Sequence, residues 1–170
     1  PETAIGHPDV CNLLGQLASQ RGQRREAARC FWEAVRLDAN LATANYQLGQ
    51  TLIKLDRASD AKPFLDRAEQ LQQYAMVLDP GAPPPAKPIL TNEMLHQASL
   101  HAESLGLVWE AYGWSEMACR AESPPRWAIR FRDRLKPQLP DLPLERNLVS
   151  ANPARRIDLT EYRWPEFSSH

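Results

Sequence analysis

The sequence lacks an excess of charge of either sign: 20 lysines and arginines face 21 aspartates and glutamates, for a net charge of −1. This balance removes the main electrostatic reason to expect binding to nucleic acid or to an anionic membrane surface. Long apolar runs are absent too, and none approaches the roughly 20 residues that a membrane-spanning helix needs. We therefore expect neither nucleic acid nor a membrane as a partner.

Cysteine is scarce. Cys11, Cys30 and Cys119 are widely spaced and form no CxxC pair, which excludes a disulfide framework and a cysteine-based zinc site. Their neighbours are apolar and helix-favouring, so we expect buried free thiols. The chain begins at Pro1 rather than at methionine, and we expect it to be a piece of a longer protein.

The sequence also lacks recognisable catalytic motifs: it holds no GxGxxG, phosphate loop, GxSxG or HExxH. His96 and His101 are five positions apart and would point about 140° away from each other on a helix. Glu93 and His96 would share a face but supply only two ligands. We expect no enzyme activity, no metal site and no cofactor. A weaker alternative is an accessory region of an enzyme whose catalytic domain lies outside this chain.

What the sequence does have is an internal repeat, in which Leu14-Gly15 recurs as Leu48-Gly49, a period of 34. The other recurring residues are Ala27, Phe31, Ala34 and Leu37, matched at the same period by Ala61, Leu65, Ala68 and Leu71. Gly15 leaves room for a second helix to approach closely, and Phe31 would fill the gap where the two helices cross. This period and pattern resemble the tetratricopeptide repeat. The resemblance implies an all-α superhelix, or solenoid, of stacked helix pairs that serves as a protein-binding scaffold.

We place the first two repeats at 8–41 and 42–75. Four prolines between 83 and 88 then interrupt the period and predict an extended spacer. If Gly106 takes the place of Gly22, a degenerate third repeat follows at 92–125, displaced by an insertion of 16. It lacks the Leu-Gly pair and has Ser115 in place of the large apolar residue.

A C-terminal capping helix is predicted at 125–136, where Trp127, Phe131 and Leu135 form one apolar stripe among basic residues. The rival interpretation of these basic residues is a face for nucleic acid or acidic lipid, but a solvated surface is favoured. The repeat domain would then cover 1–136.

Residues 137–170 are predicted to form an extended tail or linker, because their five prolines allow no long helix. Large apolar residues around Ile157 and Trp164 indicate that this tail docks on its own repeats or on a neighbouring copy. A short repeat region with such a tail is also similar to large bacterial proteins in which an FG-GAP-type β-propeller follows.

The family resemblance also implies which residues line the concave groove formed by the first helix of each repeat. The predicted peptide-binding residues are Asn12, Gln16, Gln20, Tyr46, Gln47, Gln50, Lys54, Glu93, His96 and Gln97. Their amides can donate to and accept from a peptide backbone, but an ordinary solvated helix face has the same composition. The predicted partner is a protein, bound as a peptide or helix. The alternative is a structural spacer or self-association unit whose groove or surface is covered by its own tail, with homo-oligomers formed through that tail.

Overall fold

The structure is a computed structural model that describes residues 6–79, 90–139 and 152–166. These residues form seven α-helices and no strand, which confirms the all-α repeat fold. The helices are α1 (Pro8–Gln20), α2 (Arg24–Leu37), α3 (Ala42–Ile53), α4 (Ala58–Leu78), α5 (Asn92–Ser104), α6 (Val108–Cys119) and α7 (Arg126–Leu135). Short 3-10 helices lie at Lys136–Gln138 and Pro153–Arg156. The predicted proline-rich spacer lies outside the described residues.

The helices begin in a regular register. Helices α1 and α2 are followed by α3 and α4 after one full period of the sequence repeat. The next pair, α5 and α6, begins one period plus the expected insertion of 16 after α3 and α4. The beginning of α7 lies one further period after that of α5. Helix α4 runs on to Leu78, past the predicted end of the second repeat.

The turns between paired helices share one backbone conformation. Gly22 has a φ of 76°, Gly106 has a φ of 77°, and Asp56 has a φ of 59° at the equivalent position of the second repeat. This left-handed region costs most residues with a side chain about 1–2 kcal/mol, and aspartate is among those that tolerate it. The three helix pairs therefore turn in the same way, although only two of them use glycine.

The helix crossings in the two repeats are as close as the Leu-Gly pattern predicts. A Cβ atom added to Gly15 would lie 2.6 Å from carbons of the Phe31 ring, and one added to Gly49 would lie 2.6 Å from the Leu65 side chain. The equivalent positions of the α5–α6 pair hold Ser99 and Ser115, and both are fully buried. Each serine hydroxyl donates to a carbonyl of its own helix.

The described residues divide into two compact units, with the boundary inside α4 after Glu69. The first unit comprises 6–69 and 152–166, and the second comprises 70–79 and 90–139. The core of the first unit includes Phe31, Leu48, Leu52, Phe64 and Leu159. In the second unit, Leu95, Ala118 and Ala128 bring α5, α6 and α7 together. The predicted division into 1–136 and 137–170, with its third repeat and its capping helix, stays a prediction.

The cysteines are free thiols with different surroundings. Cys11 and Cys30 are buried in the first unit, whereas Cys119 is only partly buried. Burial, followed by the neighbouring Cys11, raises the pKa of Cys30 to about 12. The expected burial therefore holds for two of the three thiols.

Candidate functional site

The first-helix face is the surface that α1 and α3 expose in the first unit. We define it by Leu13, Gln16, Leu17, Tyr46, Gln50 and Ile53. Four of these are large apolar residues with high exposure: Leu13 at 57%, Tyr46 at 52%, Leu17 at 45% and Ile53 at 44%. Residues three and four apart lie on one side of a helix, so Leu13, Gln16 and Leu17 share a face of α1. The face thus combines apolar side chains with amides that donate and accept hydrogen bonds.

Asn12 connects the two helices that carry this face. Its Nδ2 donates to Oγ1 of Thr43 on α3 at 3.5 Å. The residue is only 8% exposed, and its Oδ1 is buried without a hydrogen-bond partner among the described residues. Asn12 therefore lies beneath the first-helix face and orients α1 against α3.

A second pair of polar side chains fixes the chain where the first repeat joins the second. Asn45 is fully buried, and its Nδ2 donates to the carbonyl oxygens of Ala39 and Leu41 at 3.0 Å each. The Nε of Arg67 donates to the same Ala39 oxygen at 2.7 Å, and burial lowers the pKa of this guanidinium. Both side chains thus donate to the Ala39 carbonyl, and Asn45 adds a bond to the Leu41 carbonyl, which also accepts the backbone N–H of Asn45.

The structure distributes the ten predicted site residues over both units. Those on α1, on α3 or directly after α3 lie in the first unit: Asn12, Gln16, Gln20, Tyr46, Gln47, Gln50 and Lys54. Of these, Gln20, Tyr46 and Lys54 are exposed, Asn12 is buried, and the other three are partly buried. The remaining three lie on α5 in the second unit.

The three predicted residues of α5 have partners inside the second unit. Gln97 donates to Oε1 of Glu93 at 2.8 Å. The ring of His96 stacks on Trp127 of α7, with ring centroids 4.2 Å apart. The three side chains of α5 that the family resemblance assigns to ligand binding therefore contact other side chains of the same unit.

Sequence reasoning missed Leu17 and Ile53. Large apolar residues on an amphipathic helix are assigned to the core by default, so the pattern does not indicate either of them as a site residue. Their spacing along α1 and α3 could have indicated that they belong to this face. Leu17 follows Leu13 by four positions and Ile53 follows Gln50 by three, so each extends a face already marked as polar or exposed.

Residues 152–166, which we call the docked segment, pack against the helices of the first unit, and outside the 3-10 helix at Pro153–Arg156 they are not helical. The indole Nε1 of Trp32 donates to the carbonyl oxygens of Ala154 and Ile157. Nη1 of Arg57 donates to the Tyr162 hydroxyl at 3.2 Å, and this bond is the main cause that raises the pKa of Arg57. These hydrogen bonds go to α2 and to the turn before α4.

Neither a metal-ligand cluster nor a membrane-spanning helix is found among the described residues. Within the ranges that the structure describes, no group of three or more histidine, cysteine, aspartate or glutamate side chains is placed to hold a metal ion. In those same ranges no helix combines the length and the apolar character needed to cross a membrane. The expectation that the chain is not an enzyme stays a prediction.

Comparison with known proteins gave one result. The family model of the tetratricopeptide repeat matches residues 8–41 and 42–74, against 8–41 and 42–75 predicted from the period of the sequence. No curated protein and no solved structure matches the chain significantly. Repeats of this family are generally protein–protein interaction modules. Residues 8–74 therefore form two tetratricopeptide repeats, and the chain contains a tetratricopeptide repeat domain.

Proposed function

We propose that the chain binds a segment of a partner protein on the first-helix face. The observation that carries this proposal is the exposure of Leu13, Leu17, Tyr46 and Ile53 on two adjacent helices of one unit. Apolar side chains clustered on a surface are typical of interaction sites, and aromatic residues such as Tyr46 are enriched where binding energy is concentrated.

The chemistry of the face favours one kind of ligand. Gln16, Gln47 and Gln50 lie beside the apolar side chains and are partly buried. Each amide can both donate and accept, which suits the backbone of an extended peptide or the polar side of a helix. Because Lys54 is the only predicted first-unit site residue with a formal charge, we expect a ligand selected by apolar side chains rather than by charge.

The test is selection from a displayed peptide library, followed by measurement of the selected peptide against two matched variants. Leu17→Glu places a charge on the first-helix face, and we expect it to weaken binding at least about tenfold. Met117→Glu is the control, because Met117 is 42% exposed, close to Leu17, but lies on α6 in the second unit. Equal affinity of both variants, or a folded protein that selects no peptide, contradicts the proposal.

Self-association through the tail is a second candidate function. It is favoured by the docked segment, whose Leu159 is fully buried against residues more than a hundred positions away along the chain. A contact of that type can also form between two copies. We expect the molar mass measured by light scattering to rise with protein concentration, and Leu159→Asp to abolish that rise. A mass that stays monomeric at every concentration removes this candidate.

The remaining expectations stay proposals. They are that the chain binds neither nucleic acid nor membranes, that it needs no cofactor, and that it comes from a bacterial protein.

A further inference from the structure

The docked segment is held through its backbone in the way that proteins hold peptides. Nε1 of Trp32 lies 3.0 Å from the carbonyl oxygen of Ala154 and 3.2 Å from that of Ile157. In the other direction, Nδ2 of Asn152 donates to the carbonyl oxygens of Val35 and Arg36 at 2.8 and 3.2 Å. Those two carbonyls belong to the last turn of α2, where a helix supplies no partners of its own. Helix and segment therefore satisfy each other's backbone groups.

The segment also runs in a defined direction and has apolar anchors. Asn152 lies at the C-terminal end of α2, and Tyr162 reaches Arg57 and shares an open pocket with Arg25 near the beginning of α2. It thus runs antiparallel to the helix. Ala154 and Leu159 are buried in the core of the first unit, and Trp164 packs against the same core.

The docked segment and α2 carry complementary charges. The guanidinium of Arg29 lies 4.8 Å from the ring centroid of Trp32 and 5.6 Å from that of Trp164, so it is placed between two indoles. Such cation–π contacts favour a cation over a neutral side chain. Hydrogen bonds from Thr160 lower the pKa of the Asp158 carboxyl, and the positive charge of Arg29 lowers it further.

Two further details concern the arginines of α2. Nε and Nη1 of Arg29 are buried and have no hydrogen-bond partner among the described residues. Glu161 lines the open pocket together with Arg25, which again sets an acid of the segment beside an arginine of α2.

We propose that the α2 face, formed by Arg25, Arg29 and Trp32 of α2 together with Arg57 of the turn before α4, is a second peptide-binding site, separate from the first-helix face. Its ligand class is an extended peptide with a leading asparagine, a buried leucine, acidic residues on both sides of the leucine, and aromatic residues after it. The docked segment fills the site within the chain, and an external peptide of the same pattern fills it when the segment is detached. A tethered ligand acts at an effective concentration in the millimolar range, so the intact chain excludes external peptides.

The experiment uses the full chain and a fluorescent peptide that has the sequence of residues 152–166. Leu159→Asp detaches the segment by charging its main anchor, and Arg163→Ala is the matched control because Arg163 is an exposed residue of the same segment. We expect the peptide to bind Leu159→Asp at least tenfold more tightly than it binds the wild type or Arg163→Ala, as measured by fluorescence anisotropy. Equal binding to all three, or no binding to a folded Leu159→Asp variant, overturns the proposal.

Two further variants test the proposal even if Leu159→Asp does not fold: one that also detaches the segment, and one that changes the binding site. Trp164→Ala removes a partly buried anchor, and it replaces Leu159→Asp if circular dichroism shows that the aspartate variant is unfolded. Adding Trp32→Phe keeps the ring but removes the indole donor, and we expect it to lower peptide affinity about tenfold in the detached chain. Unchanged affinity in this double variant overturns the assignment to the α2 face. Leu17→Glu leaves this binding unchanged if the two sites are separate, so this proposal and the first-helix proposal fail independently.

Discussion

In the first repeat Gly15 lies against the Phe31 ring, whereas the equivalent positions of the α5–α6 pair hold Ser99 and Ser115. One crossing thus combines a residue without a side chain and a large ring, and the other combines two small polar residues. Both pairs begin their helices in the same register and turn through a residue of positive φ. The α5–α6 pair therefore shares the register and the turn of the first pair but not the signature residues at the helix crossing. The lack of those residues fits a family match confined to 8–41 and 42–74.

The largest expected difference between the two crossings comes from truncating the larger residue. Phe31 is fully buried in the first unit, and Phe31→Ala is expected to cost about 3–5 kcal/mol in the free energy of unfolding. Ser115→Ala removes only a hydroxyl that donates to its own helix, and we expect a cost of about 1 kcal/mol or less. Urea unfolding followed by circular dichroism measures the free energy of unfolding of both variants. Similar losses of stability would contradict the expected difference between the two crossings.

Adding a methyl group to helix glycines is expected to give effects of opposite sign in the two units. A Cβ at Gly15 meets the Phe31 ring at 2.6 Å, so Gly15→Ala overpacks the crossing and costs about 1–3 kcal/mol. Gly113 of α6 has nothing within 4 Å of an added Cβ, and Gly113→Ala is expected to stabilise the helix by about 0.5–1 kcal/mol. Thermal melting distinguishes them, and a loss of stability in both variants contradicts the described surroundings of Gly113.

The smallest expected effect concerns the shared turn. Asp56 holds a φ of 59° where the other two pairs have glycine, so Asp56→Gly is expected to stabilise the first unit by about 0.5–1 kcal/mol. The reciprocal changes, Gly22→Ala and Gly106→Ala, are expected to destabilise the protein by about 1 kcal/mol each, as measured by thermal melting. A destabilising Asp56→Gly would mean that the turn of the second repeat differs from the other two.

The sequence was sufficient to predict the local architecture. The residue pairs that recur at one period, beginning with Gly15 and Gly49, led to two repeats whose expected limits the family model matches almost completely. The stripe of Trp127, Phe131 and Leu135 predicted a capping helix at 125–136; α7 occupies Arg126–Leu135, and its role as a cap stays a prediction. These predictions depend on periodicity and on helix-breaking residues, which act over a few positions.

The contacts of the candidate sites could be predicted only in part, because they depend on positions far apart in the sequence. Nothing near Trp32 indicates that its indole donates to the carbonyls of Ala154 and Ile157, far along the chain. Asn12 was predicted to line the groove, but its bond to Thr43 places it beneath the surface. Local patterns state which residues are apolar or polar; packing between distant segments decides which of them face solvent.

The most direct test of the central claim is to map bound peptide on the isotopically labelled chain by NMR. A peptide selected from the displayed library is titrated into the full chain, and the chemical-shift changes are assigned to residues. We predict that the largest changes fall on Leu13, Leu17, Tyr46 and Ile53, with little change on α6. Changes concentrated on the second unit, or on α2 with the first-helix face unaffected, would contradict the proposal that the first-helix face binds the partner.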